Sequence, residues 1–134
     1  MIQLSVAVRN ARLAAIESTI GTAPKLQLRS GPQPTNITEP DSGTLIAEFD
    51  LPSDWISAPS NGSSSFLGVP VSVTADDAGT IGHFRVKNTA GSTTHAQGSV
   101  TLAGGGGDLI ADNLAVNAGQ TVQITGITIN EGNA

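Results

Sequence analysis

The sequence predicts an all-β protein, a two-sheet antiparallel β-sandwich of the jelly-roll type that follows one N-terminal α-helix. Short segments of alternating apolar and polar residues recur along the chain, as in half-buried strands. Sixteen glycines and seven prolines separate these segments and supply tight turns. The length of 134 residues predicts a single domain, with a helix or arm over residues 1–21 and the sandwich over residues 25–134.

The predicted helix covers Ser5 to Ile20, where Ser5 can cap the start and Gly21 the end. Its apolar stripe consists of Val6, Leu13, Ile16 and Ile20. The helix is either a core helix packed on the sheet or an arm that docks on a neighbouring subunit. The second interpretation draws on the apolar Met-Ile-Gln-Leu segment in front of it.

The first predicted strand is Lys25 to Ser30, with leucines facing the core and with Gln27 and Arg29 facing outward. Residues 31–43 follow as a proline-punctuated loop. Because proline cannot donate to a central ladder, we expect this loop to run along the surface and to contact partners. The prolines concerned are Pro32, Pro34 and Pro40.

Two further strands are predicted in the next third of the chain. Thr44 to Leu51 alternates, with the odd-numbered residues inward and Ile46 outward. Phe66 to Ala75 alternates through Leu67, Val69, Val71 and Val73, and Pro70 places it at a sheet edge. The stretch from Ser57 to Ser65 has no periodicity and is predicted to be a flexible loop.

A β-hairpin over residues 80–102 is the predicted centre of the fold. Pairing Asn88 with Ser92 places Phe84 opposite Ala96 and leaves a glycine notch between Gly82 and Gly98. Trp55 is the expected occupant of that notch. The other face of the first hairpin strand carries His83, Arg85 and Lys87 and is predicted to be a solvated basic face.

The last third predicts one broken strand and one long strand. Leu109 to Val116 is interrupted at Asp112-Asn113, after a glycine corner at residues 104–107. In Thr121 to Asn130 the apolar phase changes from even to odd positions, which predicts a bulge at Thr125-Gly126.

Composition argues against several classes of partner. A net charge of −5 opposes binding to nucleic acid, and an aromatic content of 3% leaves few stacking platforms for sugars or single strands. With no cysteine, no disulfide framework is available. Arg9, Arg12 and Glu17 interrupt the N-terminal apolar pattern, so a signal peptide or membrane span is not expected and the protein is predicted to be soluble and unexported.

No constellation of residues predicts catalysis, so we expect no enzyme and no cofactor. The run from Gly104 to Gly107 lacks the lysine and the helix of a phosphate loop. His83 and His95 lack a third zinc ligand and are predicted to be surface histidines. Asp108 and Asp112, with Asn113, are either solvated turn residues, the favoured interpretation, or a weak calcium site.

Three stretches together resemble a known family: VRNARLAAIESTIGTAPKLQLRSG, GTIGHFRVKNTAGSTTHAQGSVTL and GGGGDLIADNLAVNAGQTVQITGITINEGN. They are similar to small virion structural proteins of tailed bacteriophages, of the capsid cement or decoration type. The resemblance implies a non-enzymatic protein that binds the major capsid protein and stabilises the shell as a homo-oligomer, a dimer or trimer at a symmetry axis. It implies residence on the capsid surface of the virion after assembly in the host cytoplasm, without nucleic acid or membrane as a partner.

Such a protein would hold two capsid subunits together through its helix and its proline-rich loop. The residues expected to bind the partner are Val6, Leu13, Ile16, Ile20, Pro32, Pro34 and Pro40. The alternative function is a tail or fibre module that recognises a host receptor, and an enzyme ranks third.

Overall fold

The computed structural model of the chain describes residues 1–132, and within this range it contains one helix and nine strands. The helix α1 is Val6–Ile20. The strands are β1 Lys25–Ser30, β2 Leu45–Asp50, β3 Ser63–Ser65, β4 Val71–Thr74, β5 Gly79–Lys87, β6 Thr94–Thr101, β7 Leu109–Ala111, β8 Ala115–Val116 and β9 Thr121–Asn130. The predicted mostly-β fold with one N-terminal helix is therefore confirmed.

The strands form one curled, mixed sheet rather than two separately hydrogen-bonded sheets. Their order is β2-β1-β5-β6-β7-β9-β3, with β4 beside β9 and β8 beside β5. The pairs are antiparallel except for β6 and β7, which run parallel. The prediction of wholly antiparallel pairing is wrong at this point, because the chain turns back through the glycine corner and re-enters beside the strand that it has just left.

The helix begins and ends where its capping residues predict. Ser5 Oγ accepts a hydrogen bond from the Val8 amide at 3.3 Å, and the Gly21 amide donates to the Glu17 carbonyl oxygen at 2.9 Å. Leu13 and Ile20 are buried. The helix therefore packs on the sheet of its own chain, as a core helix does.

One hydrophobic core lies inside the curl of the sheet. Phe84 and Val122 are buried in it, while Phe49 and Val71 are partly buried against it. These four residues therefore belong to one core, as their positions on the apolar phases of their strands predict.

Trp55 is fully buried but does not lie in the predicted glycine notch. Its ring meets Phe66 edge-on, with centroids 5.0 Å apart, and its Nε1 donates to the Gly21 carbonyl oxygen at 2.9 Å. The Phe84 ring lies against Gly98 instead, and the Gly31 backbone lies against Gly82. The notch is thus filled by the Phe84 ring of β5 and by the start of the 31–43 loop.

The hairpin register is shifted by two residues from the prediction. Phe84 lies opposite Gly98, not Ala96, because the connection spans residues 88–93. The Asn88 side chain stabilises this wider loop by accepting hydrogen bonds from the amides of Ser92 and Thr93 at 2.9 and 3.2 Å.

Other departures from prediction have local causes. Ile46 is buried rather than outward. Leu28 pairs with Ala47 and Arg29 with Leu45, so Ile46 is the extra residue of a β-bulge in β2. Leu67 is exposed because, of that predicted strand, the ladder includes Val71–Thr74 but not Leu67. Among the described strands, β4 pairs with β9 alone, at the sheet edge. Part of the serine-rich loop forms β3 on β9.

The C-terminal strands follow the prediction closely. The break falls between β7 and β8, and β9 has the predicted bounds. Ile110 pairs with Gly126 and Ala111 with Ile124, so Thr125 is the additional residue of the predicted bulge.

Candidate functional site

The predicted basic face of β5 is not solvated. His83, Arg85 and Lys87 retain at most 8% of their accessible surface, as do Gln27 and Arg29 on the neighbouring strand β1. The loop over residues 31–43 folds back and covers them. The loop is thus a lid on a buried polar layer, which corrects the prediction that this face is open to water.

Asp41 is the centre of this polar layer. Its carboxylate binds Arg85 Nη1 at 2.8 Å, Arg29 Nη2 at 2.9 Å and Lys87 Nζ at 2.6 Å. Burial disfavours the charged carboxylate, but hydrogen bonds from Lys87 and Arg85 and the charge of Arg29 outweigh it, so the pKa of Asp41 lies below its usual range. The Asp41 carboxylate stays ionised and both its oxygens accept from cations of the sheet. It therefore serves to hold the loop on the sheet, which we call the Asp41 clamp, rather than to transfer protons.

Neutral acceptors satisfy the remaining guanidinium donors. Arg85 donates to the Glu39 carbonyl oxygen at 3.1 Å and to Gln97 Oε1 at 3.0 and 3.2 Å. Gln97 Nε2 in turn donates to the Pro34 carbonyl oxygen at 2.9 Å. The lid is therefore held along its length by the strands beneath it.

His83 lies under the start of the lid and is fully buried. Its Nδ1 is 2.8 Å from the Gly31 carbonyl oxygen, which can only accept, so Nδ1 carries the proton. Its Nε2 has no hydrogen-bond partner among residues 1–132. Burial, with the nearby charges of Arg29 and Arg85, lowers the pKa of His83 despite the Gly31 hydrogen bond, so the ring is neutral.

His95 does not join His83, because it lies partly buried beside the helix. Within residues 1–132, no group of three or more histidine, cysteine, aspartate or glutamate side chains is placed to hold a metal ion. The two histidines therefore occupy separate environments, and the prediction that both are surface residues is wrong for His83.

The acids of the alternative calcium site bind backbone amides. Asp108 Oδ2 accepts from the Ser99 amide at 2.9 Å, and Asp112 Oδ1 accepts from the Gln123 amide at 2.8 Å. Asp108 thus binds the backbone of β6 and Asp112 that of β9, so the two carboxylates serve different strands.

The structure separates the residues expected to bind a partner. Val6, Pro32 and Pro40 are exposed, and Ile16 is partly buried. Leu13, Ile20 and Pro34 are buried in their own chain, so their burial removes them from the candidate surface.

Four exposed apolar side chains remain within the first eight residues, and we call this set the N-terminal apolar surface. It consists of Met1, Ile2, Val6 and Val8, with exposed fractions of 98, 83, 41 and 46%. Val8 does not belong to the predicted apolar stripe of the helix, so the sequence analysis missed it. Its position off that stripe was the signal that an apolar side chain would face outward.

The surface of the described chain has two grooves next to the residues discussed above. The first lies between the lid and the β5–β6 hairpin, has a volume of ≈ 410 Å³, and is lined by Thr38, Lys87, Thr93 and Thr94 among others. The second lies between β6, β9 and α1, has a volume of ≈ 490 Å³, and is lined mainly by apolar side chains.

Comparisons with protein-family models, curated proteins and solved structures found no match for this chain. Within the described residues, no helix combines the length and the apolar character needed to cross a membrane.

Proposed function

We propose that this protein is a non-enzymatic structural protein of a tailed-phage virion, a capsid cement or decoration protein that binds the major capsid protein and self-associates on the shell. The observation that carries the proposal is the N-terminal apolar surface. Four of the seven large apolar side chains that are exposed among the described residues fall within the first eight residues, and such a concentration of exposed apolar side chains is a feature of interaction sites. The sequence resemblance supplies the kind of partner.

The framework behind this surface supports a structural role. Residues from both ends of the sheet, such as Leu26 on β1 and Ile124 on β9, share one core. We propose that the curled sheet works as a jelly-roll-like sandwich whose two halves face each other. The lid clamped by Asp41 stiffens one face, so a partner is met by a preorganised surface.

The test is binding to shells that lack the protein. Because Val6 and Val8 are exposed, Val6→Ser/Val8→Ser should leave the fold intact and reduce occupancy on purified shells, measured by co-sedimentation and quantitative mass spectrometry. Leu67→Ser/Leu102→Ser is the matched control, since these residues are 36 and 46% exposed and lie outside both the helix and the 31–43 loop. Full occupancy by the Val6/Val8 variant would contradict the proposal. Deleting the whole helix is a poorer test, because Leu13 belongs to the fold.

A second candidate is a tail or fibre module that recognises a host receptor, and the hydroxyl-lined groove beside Lys87 favours it. The threonine hydroxyls of this groove suit a polar receptor surface. Mass spectrometry of virions stripped of their tails separates the two candidates, since a cement protein stays with the heads.

A further inference from the structure

The 31–43 loop, which is the lid of the polar layer, is held mainly by charge and hydrogen bonding. Among its residues, Pro34 alone is buried. Its contacts with the sheet include the Asp41 clamp and the hydrogen bond that Gln97 Nε2 donates to the Pro34 carbonyl oxygen at 2.9 Å. A segment with few buried apolar contacts opens at a lower free energy than the core does. The lid therefore responds to a change of charge beneath it more than the apolar core does.

His83 lies beneath the start of the lid and uses only one of its two ring nitrogens. Its Nδ1 is bound to the carbonyl oxygen of Gly31, the first residue of the lid. Its Nε2 is buried and has no hydrogen-bond partner within residues 1–132. A neutral ring leaves only a lone pair unsatisfied there. A protonated ring would bury a donor and a positive charge without an acceptor, which is far more costly.

The surroundings of His83 disfavour a further positive charge. The charged groups that flank it are Arg29, paired with it on β1, Arg85, two residues away on β5, and Asp41 of the lid. Its partner on β6 is Ser99, whose hydroxyl donates to Asp108 at 2.9 Å. The Asp41 carboxylate is already shared by three cations. Protonation of His83 would thus add a fourth cation beneath a lid that is held by one carboxylate.

We propose that the lid opens in acid: protonation of His83 releases the 31–43 loop from the sheet while the core stays folded. Opening gives water access to Nε2 and to the cations of the layer. Because it also breaks the Asp41 clamp, the open form is a minor state near neutral pH. Opening uncovers Arg29, Arg85 and Lys87, which are buried in the closed form. The acid form therefore presents a basic face that the neutral form hides.

The direction of the pH dependence follows from proton linkage. Burial and the charges of Arg29 and Arg85 lower the pKa of His83 in the closed form despite the hydrogen bond to Gly31, whereas water restores the ordinary value of 6.5 in the open form. The open form therefore binds more protons and gains population as pH falls. The ratio of open to closed form should rise by up to about tenfold per pH unit below about pH 6.5, and it should level off below the lowered pKa of the closed form.

The first experiment measures thiol exposure, in a chain that has no cysteine of its own. Pro34→Cys places a thiol at the buried residue of the lid, and Ala111→Cys, at a residue 1% exposed on β7, reports on the core. Each variant is labelled with a dipyridyl disulfide, whose good leaving group keeps it reactive in acid. Each rate is divided by the rate of the same variant unfolded in urea at the same pH. When closing is fast, this ratio gives the population of the exposed form.

The two thiols should become exposed by different routes. Pro34→Cys should react at least about tenfold faster than Ala111→Cys, because the lid opens more readily than the core. Low concentrations of urea should leave the Pro34→Cys rate nearly unchanged and raise the Ala111→Cys rate, because lid opening exposes little surface and global unfolding exposes much.

The two histidines supply matched variants for the origin of the pH dependence. His83→Gln stays neutral at every pH, so it should remove the rise in Pro34→Cys labelling as pH falls from about 7 to about 5. His95→Gln changes the histidine that lies beside the helix, outside the polar layer, and it should leave that rise intact.

The second experiment uses the wild-type protein, so it does not depend on the folding of a variant. Nitrogen-15 NMR follows the His83 ring together with the backbone amides as pH falls. Because the protonated ring belongs to the open form, its titration should coincide with shift changes in the amides of residues 31–43. Core amides such as that of Val122 should keep their shifts over the same range.

Four results would overturn the inference. The first is a Pro34→Cys labelling ratio that stays constant between about pH 7 and about pH 5, and the second is an equal rise in the His83→Gln background. The third is equal labelling of Pro34→Cys and Ala111→Cys, which would mean that acid unfolds the whole chain rather than the lid alone. The fourth is a His83 titration that leaves the amides of the lid unchanged, and this result decides the matter if His83→Gln does not fold.

Discussion

Replacing Asp41 by Asn removes the only carboxylate that forms ion pairs with Arg29, Arg85 and Lys87 in the described residues. Asparagine has nearly the same volume and keeps an acceptor oxygen, so packing changes little. What changes is the charge. Three cations whose side chains are 10, 2 and 10% exposed would then share no counter-charge.

The magnitude follows from these exposures. Breaking a buried ion pair by removing one partner costs about 3–5 kcal/mol in the free energy of unfolding. The Asp41 side chain is 27% exposed, so water can solvate part of the released charge, and we expect about 3 kcal/mol, the lower end of that range. For 134 residues, an unfolding entropy of about 2.1 cal/mol/K per residue converts this into a fall of about 11 °C in Tm.

The assay is denaturant unfolding followed by the fluorescence of Trp55, the single tryptophan of the chain and fully buried. Asp50→Asn is the matched control: Asp50 pairs with Lys25 at 2.8 Å but is 63% exposed, so its loss should cost at most about 1 kcal/mol. Lys87→Met in the Asp41→Asn background should recover part of the loss, because it removes one unpaired cation. Equal destabilisation by Asp41→Asn and Asp50→Asn would refute the clamp.

Three further predictions concern the core and the lid. Phe84→Ala should lower the free energy of unfolding by about 3–5 kcal/mol, and an unchanged denaturation midpoint would remove Phe84 from the core. Gly98→Ala should cost about 1–3 kcal/mol by forcing a methyl group against the Phe84 ring, whereas Gly126→Ala, with open space around it, should be tolerated in the same assay. The pKa of His83 is lowered in the folded state, so the unfolded chain binds more protons and stability should fall as pH drops below about 6.5, by up to about 1.4 kcal/mol per pH unit. His83→Gln should abolish this slope between about pH 7 and pH 5, where Asp41 stays charged, and equal slopes for both proteins would show that His83 is not responsible.

The elements that sequence predicted well are those whose signals are local. Ser5 and Gly21 define the helix ends through their own capping chemistry, and the phase change within β9 requires a bulge whatever its partners are. By contrast, β3 consists of three serines, which carry no apolar period. Its strand conformation comes from the β9 edge beside it.

The polar layer was misjudged because alternation gives the faces of a strand but not what covers them. Arg29 on β1 and Arg85 and Lys87 on β5 share the face opposite the apolar one, as predicted. That the 31–43 loop returns over this face depends on contacts made across 12 to 46 residues of sequence. The single acid Asp41 in a loop opposite three cations was the one available signal.

The contacts that hold the helix determine when it can dock during folding. Arg12 forms an ion pair with Glu131 at 3.1 Å, Arg9 donates to the Glu131 carbonyl oxygen at 3.3 Å, and Asn10 accepts from the Gly62 amide beside β3. β3 itself is held by β9, the strand that follows all others. During synthesis at about 5–20 residues per second, the helix therefore leaves the ribosome before the strands that hold it, and it reaches its final place only after they have formed. Until residue 131 has emerged, the helix lacks these partners and its apolar side chains stay exposed to solvent.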